Sequence, residues 1–210
     1  MGLSLSIVER TDKHAYAYGD ILTPTIAEAK MAPVKSPVAE NVGNILSMEH
    51  VNLTVTDQRM AEAFYITAMG FTRDPFIVFG GGNMWVNVGE QQFHLPLRKE
   101  NQVVPGRIGV VMADLDSLKQ RLKHAEEQLS DTKFSWASDN GTVNVTGPWG
   151  NQFRVHEPNA KYGNMAVGLP YVEFNVKPGA ADGIAHFYRQ VMKSPATTSQ
   201  GKGLTSAHIH

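Results

Sequence analysis

The chain contains no cysteine, which excludes disulfides, thiolate-held metals and cysteine nucleophiles together; any metal would have to be held by His, Asp or Glu. Long apolar runs are also absent. No stretch approaches the ~18 apolar residues that span a bilayer, and Glu9, Asp12 and Asp20 interrupt the start where a secretory signal needs an apolar core. The expectation is a cytoplasmic protein with no membrane partner. The formal charge is only −1, with both signs interspersed, so the basic face that grips nucleic acid is missing. Gly80-Gly81-Gly82 is not followed by Lys-Ser/Thr and opens no helix, so it reads as a turn and not a phosphate loop. The exclusions leave a small molecule as the expected partner.

What is present is periodic hydrophobicity, in a chain of 210 residues long enough for the core of one ordinary domain. Residues 1–45, with Pro24, Pro33 and Pro37 and no sustained period, read as a mobile extension. From His50 the pattern alternates (HVNLTV), then turns helical over 57–69 with Ala61, Phe64, Tyr65 and Ala68 inward, and stops at Gly70. Extended runs follow at 76–79, 84–88 and 91–97, separated by glycine turns. One strand, one helix and three strands make a unit, and the cycle restarts: a strand at 107–112, a helix opened by Asp114 with Leu115, Leu118, Leu122 and Leu129, and strands near 132–137, 141–146 and 150–157. A third cycle begins with YVEFNV at 171–176 and a helix holding Ile184, Phe187 and Tyr188. Over 168–210 it reads as an incomplete unit, strand and helix, ending in a flexible tail. An unpaired strand is an edge liability, so a homodimer that covers it is expected.

HVNLTVTD at 50–57, AFYITAMGF at 63–71, GVVMADLDSL at 109–118 and GPWGNQFRVHEP at 147–158 resemble the vicinal-oxygen-chelate superfamily, which includes glyoxalases, bleomycin-resistance proteins and extradiol dioxygenases. The resemblance implies an α+β fold. Two βαβββ modules, 48–98 and 106–158, would pair within a domain over 46–160 into a half-open β-barrel cup around a ligand. Metal-dependent members of this superfamily take ligands from the first and last strand of each module. Carried over, this implies His50 and His94 in the first module, whereas the second has Arg107 and Arg154, which have no lone pair to give. A site of His50, His94 and His156 for one divalent ion (Zn, Ni, Fe or Mn) is the implied cofactor; a protein without cofactor is the alternative.

Strand alternation puts His50, Asn52 and Thr54 on one face and Gln92 with His94 on another shared face, so two imidazoles are aimed into one cavity. His50 and His94 are therefore the candidate catalytic residues, with Asn52 and Gln92 contacting substrate. Arg107 and Arg154 either clamp a carboxylate or phosphate, or turn outward and pair with surface acids. Trp149, in the tight GPWGN turn, either covers a ligand or caps the sheet. The reading is a glyoxalase-like lyase or isomerase, or a ring-cleaving dioxygenase, acting on a small, oxygen-rich, anionic molecule. The alternatives are a metal-free binding protein of the bleomycin-resistance type and an inactive pseudoenzyme.

Overall fold

A computed structural model describes residues 4–9, 45, 47–76, 82–201 and 204–210. Strand β1 is Ser4–Glu9. The first full unit has β2 (His50–Asn52), a helix that starts as α1 (Gln58–Ala61) and widens into π-helical turns over Glu62–Ala68, then β3 (Thr72–Arg73), β4 (Asn83–Val88) and β5 (Gln91–Pro96). The second has β6 (Gly106–Met112), α2 (Leu115–Ala125), β7 (Ser135–Asp139), β8 (Thr142–Thr146) and β9 (Gln152–His156). Short β10 (Val167–Gly168) leads into β11 (Tyr171–Val176), α3 (Ala181–Gln190), β12 (Ala196–Gly201) and β13 (Leu204–Ile209). The extended run expected at 76–79 falls largely outside the described residues, as does most of the glycine turn after it.

The helices begin where side chains satisfy free N–H groups. Asp57 accepts from the backbone of Arg59 and Met60, at 2.8 and 3.1 Å, and Asp114 accepts from Ser117 at 2.8 Å. Gly70, at φ +78°, ends the first helix as expected; its N–H reaches the Ile66 carbonyl at 3.1 Å. Leu115, Leu118, Leu122 and Ala125 form the buried stripe of α2.

Among the described residues the strands form two sheets, neither closed into a barrel. One runs β2-β5-β4-β3; the other, nine-stranded, runs β12-β13-β1-β11-β6-β9-β8-β7, with β10 on β6. In the first two units the first strand lies parallel to the last: β2 beside β5 and β6 beside β9. The third quartet has the same order. Its fourth place, parallel to β11 and antiparallel to β13, is taken by β1.

The strands after α3 and before the first unit correct two expectations. All of TSAHIH but His210 is not tail but part of β13, and part of the presumed mobile extension is a paired strand. β12 and β13 carry small or polar residues at most places; Ala196, Ala207 and Ile209 pack with Ile7, Ala181 and Ala185 in a core of their own, against which a serine- and threonine-rich strand needs little bulk.

The main core lies between the first two units. Phe64 and Tyr65 sit against Phe93 of one sheet and Phe153 of the other, with centroids 4.9 to 6.1 Å apart. All four rings are at most 1 % exposed, and each contributes roughly 1.5–3 kcal/mol by burial. Buried amides at matching places tie down the linkers. Gln91 accepts from Leu169 N–H at 2.7 Å and donates to its carbonyl at 2.9 Å; Asn151 accepts from Val104 N–H and donates to the Gln102 carbonyl, both at 2.9 Å.

Glu9 of β1 accepts from Ala181 N–H at 2.8 Å at the start of α3, and backbone hydrogen bonds from Ala181 and Gly179 hold its carboxyl below the ordinary value near 4.5. A depressed carboxyl contributes stability above its unfolded pKa and loses it as pH falls through the folded one. Glu9→Gln is therefore expected to lower the melting temperature at pH 7 and to narrow the gap to wild type as pH approaches 3, in thermal melts followed by circular dichroism. An unchanged gap across that range would refute the role of the charge.

Candidate functional site

Because both inner sheet faces meet in one core, strand alternation turns the two polar faces to opposite sides of it. The sequence-derived candidates are divided accordingly.

On the first face, His50, Asn52, Gln92 and His94 do come together on adjacent strands, with Asn52 opposite His94 and His50 opposite Gln92. The His50 and His94 rings lie 6.3 Å apart. Trp85, opposite His94 on β4, stacks on it at 4.1 Å and 10°. Gln92 is spent on structure, donating to Asp74 at 2.9 Å and Asn87 at 2.6 Å. Burial, then the charges of His50 and Arg98, lower the His94 pKa, so this imidazole is neutral near pH 7.

These residues fit a divalent ion poorly. His50 meets the Glu49 carboxylate through Nδ1, which leaves Nε2 free to ligate. His94 is oriented the other way: its Nδ1 accepts from Asn52 Nδ2 at 2.9 Å, which places the proton of the neutral ring on Nε2 and removes that lone pair. No third ligand joins them, and among the described residues no three His, Asp or Glu side chains are grouped to hold an ion. His156, the expected third member, lies on β9 of the other sheet.

On the second face the arginines do converge. Arg107 and Arg154 stand on neighbouring strands, and both act on His156, as does Lys161 just beyond β9. Burial first, then these three cations, push the His156 pKa down to about 4, so the ring is uncharged at neutral pH. Its Nε2 lies 2.8 Å from the Tyr171 hydroxyl. Tyr171 is pushed up to about 12 by burial, with Tyr162 and Glu173 adding to the effect and the two arginines opposing it. Arg154 is a third exposed; its Nη2 donates to Asp139 at 3.2 Å, while its Nε is buried and has no hydrogen-bond partner among the described residues. Glu173 stands opposite Arg107 on β11. The face thus offers cationic donors around a pair of neutral, proton-bearing groups, an arrangement suited to an oxyanion.

Trp149 rests against the main core from its turn. Tyr171, Lys161 and Glu173 were not among the sequence candidates, although laying YVEFNV over HVNLTV puts Tyr171 at the place of His50. His208, read as tail, instead bonds Ser199 at 2.9 Å on β12.

Similar solved structures include a glyoxalase-family protein from Bacillus anthracis (18 % identity, TM-score 0.42, 56 % of this chain and 98 % of that one). Another is a glyoxalase/bleomycin resistance/dioxygenase family enzyme from Burkholderia phytofirmans (13 %, 0.40, 52 % and 96 %). A third is the fosfomycin resistance protein FosX of Listeria monocytogenes (11 %, 0.42, 54 % and 92 %). No protein-family model and no curated protein matches the sequence. At these identities the likeness is one of fold and names no reaction.

Two outcomes are expected. In proton NMR titrations the His156 ring should change state near pH 4, well below the ordinary 6.5, whereas a midpoint above 6 would contradict the crowding of cations around it. After dialysis against Zn(II) or Ni(II), elemental analysis should find no more metal in wild type than in a His50→Ala, His94→Ala double variant. Near-stoichiometric metal in wild type alone would show that the two imidazoles recruit the ligands they lack here.

Proposed function

We propose that the protein binds a small oxygen-rich anion on the second polar face, gripped by Arg107 and Arg154. The observation that carries this reading is the convergence of Arg107, Arg154 and Lys161 on one uncharged imidazole, beside an Arg154 side chain that is a third exposed. With a third of the Arg154 side chain exposed, an incoming oxygen can approach its guanidinium from solvent. Carboxylates and phosphates match the guanidinium fork.

As for chemistry, His156 and Tyr171 can hold or pass a proton beside such an anion, which suits a glyoxalase-like lyase or isomerase. The metal-free binding protein is the second reading, favoured by the Asn52 contact that occupies His94 Nδ1. In the first sheet β2 is an edge strand, and a homodimer would use that edge to pair with a second copy. A cytoplasmic location accords with the described residues, in which no helix is long and apolar enough to cross a membrane.

Isothermal titration calorimetry with oxalate and inorganic phosphate tests the anion site. Arg154→Ala and Arg107→Ala are each expected to weaken binding about ten-fold or more, on the scale of one charge-assisted hydrogen bond. The His50→Ala, His94→Ala double variant should bind as wild type does. Equal affinity in the arginine variants, or loss only in the histidine variant, would move the site to the first sheet.

A further inference from the structure

The seat of Tyr171 deepens this reading and rests on it. Strands β9, β6 and β11 are neighbours, and across them Arg154 stands beside Gly109 in register. Gly109 has no side chain to fill its place, and the Tyr171 ring occupies it: a Cβ built at Gly109 would come within 2.4 Å of the ring. The glycine is not needed for its backbone, since its φ lies outside the left-handed region; it is needed for space. The ring is thereby brought across β6 to His156, at 2.8 Å from its Nε2.

The direction of that hydrogen bond decides what Tyr171 can do. If the phenol donated to His156, its oxygen would present only lone pairs to the cationic face, and an anion arriving there would be repelled. If neutral His156 carries its proton on Nε2 and donates to the phenol oxygen, the phenolic hydrogen is free for the ligand. The second arrangement suits an anion beside Arg107 and Arg154. Asp139 and Glu173, the acids facing these arginines, carry no donor when ionised and cannot substitute for it.

We propose that Tyr171 is a third ligand-contacting group of the anion site, donating its phenolic hydrogen to a bound carboxylate or phosphate, with His156 as the positioning residue and Gly109 as the seat for the ring. Sequence gave no motif for it, because its parts come from three strands of two different repeat units.

The experiment is calorimetric titration of the whole chain with oxalate and with inorganic phosphate, the tighter probe naming the ligand class. Tyr171→Phe and Gly109→Ala are each expected to weaken binding about ten-fold or more: one removes the donor, the other removes no polar atom but evicts the ring. His156→Gln, whose amide N–H can stand in for Nε2–H, should stay closer to wild type than His156→Leu. Wild-type affinity in Tyr171→Phe, with Arg154→Ala impaired, would overturn the role of Tyr171 and leave the anion site standing. No binding of either probe by wild type would overturn the anion site itself, and the role of Tyr171 with it. Should Gly109→Ala fail to fold, as judged by circular dichroism, Tyr171→Phe and the His156 pair decide the matter alone.

Discussion

Phe93 and Phe153 lie 6.1 Å apart in the interior, each on the last strand of its unit and each sharing contacts with Tyr65. The placement of every polar candidate follows from that meeting. Side chains alternate along a strand, so once Phe93 and Phe153 face inward, Gln92 and His94 must face out on one side of the molecule, and Gln152, Arg154 and His156 on the other. A slip of one residue would reverse this, burying the polar Gln92 and His94 in one strand or the Arg154 guanidinium in the other, at a cost the core could not bear. The division of the site between two sheets is thus a consequence of how the aromatic core is packed.

The same constraint explains what could be read from sequence. The two full units were legible because their helices and strands carry large apolar residues at regular spacing and begin at Asp57 and Asp114, whose carboxylates cap the helices as such residues do. That His50 shares a face with Asn52, and Gln92 with His94, followed from alternation alone. What alternation does not determine is which faces meet. Within a unit, pairing is local; between units it depends on which edges join, and here β6 joins β11 of the third unit. The expectation that His156 would complete a set with His50 and His94 failed at that step, since each residue was assigned to the correct side of its own strand.

The rest of the third unit was hidden for a different reason. β12 and β13 carry Ser, Thr and Ala at many of the places where the other units carry Phe, Val and Leu, and the fourth place is filled by a segment 167 residues away in sequence, an ordering that no local period reports. Without β1 the apolar side of β13 would lack its neighbour Ile7, and α3 would lose the Glu9 carboxylate at its start. Pairing of such distant segments carries a loop-closure cost, but one that grows only with the logarithm of the intervening length.

Laid over one another, the three first strands show one place in the fold put to three uses. His50 and Tyr171 open their strands and Arg107 stands second in its own; each strand runs beside a parallel partner, and each of the three residues is followed by an inward-facing Val or Ile. An imidazole there can serve a metal, a guanidinium can serve an anion, and a phenol can donate one directed hydrogen bond. In this chain the guanidinium and the phenol lie on strands that pair directly, whereas the imidazole is on another sheet with Trp85 and His94. A metal at the second face would have to compete with Arg107, Arg154 and Lys161, whose charge already disfavours a proton on His156 and would disfavour a divalent cation more. The electrostatics of that face therefore disfavour a divalent ion beside His156, and this is the physical ground on which an anion is proposed there instead.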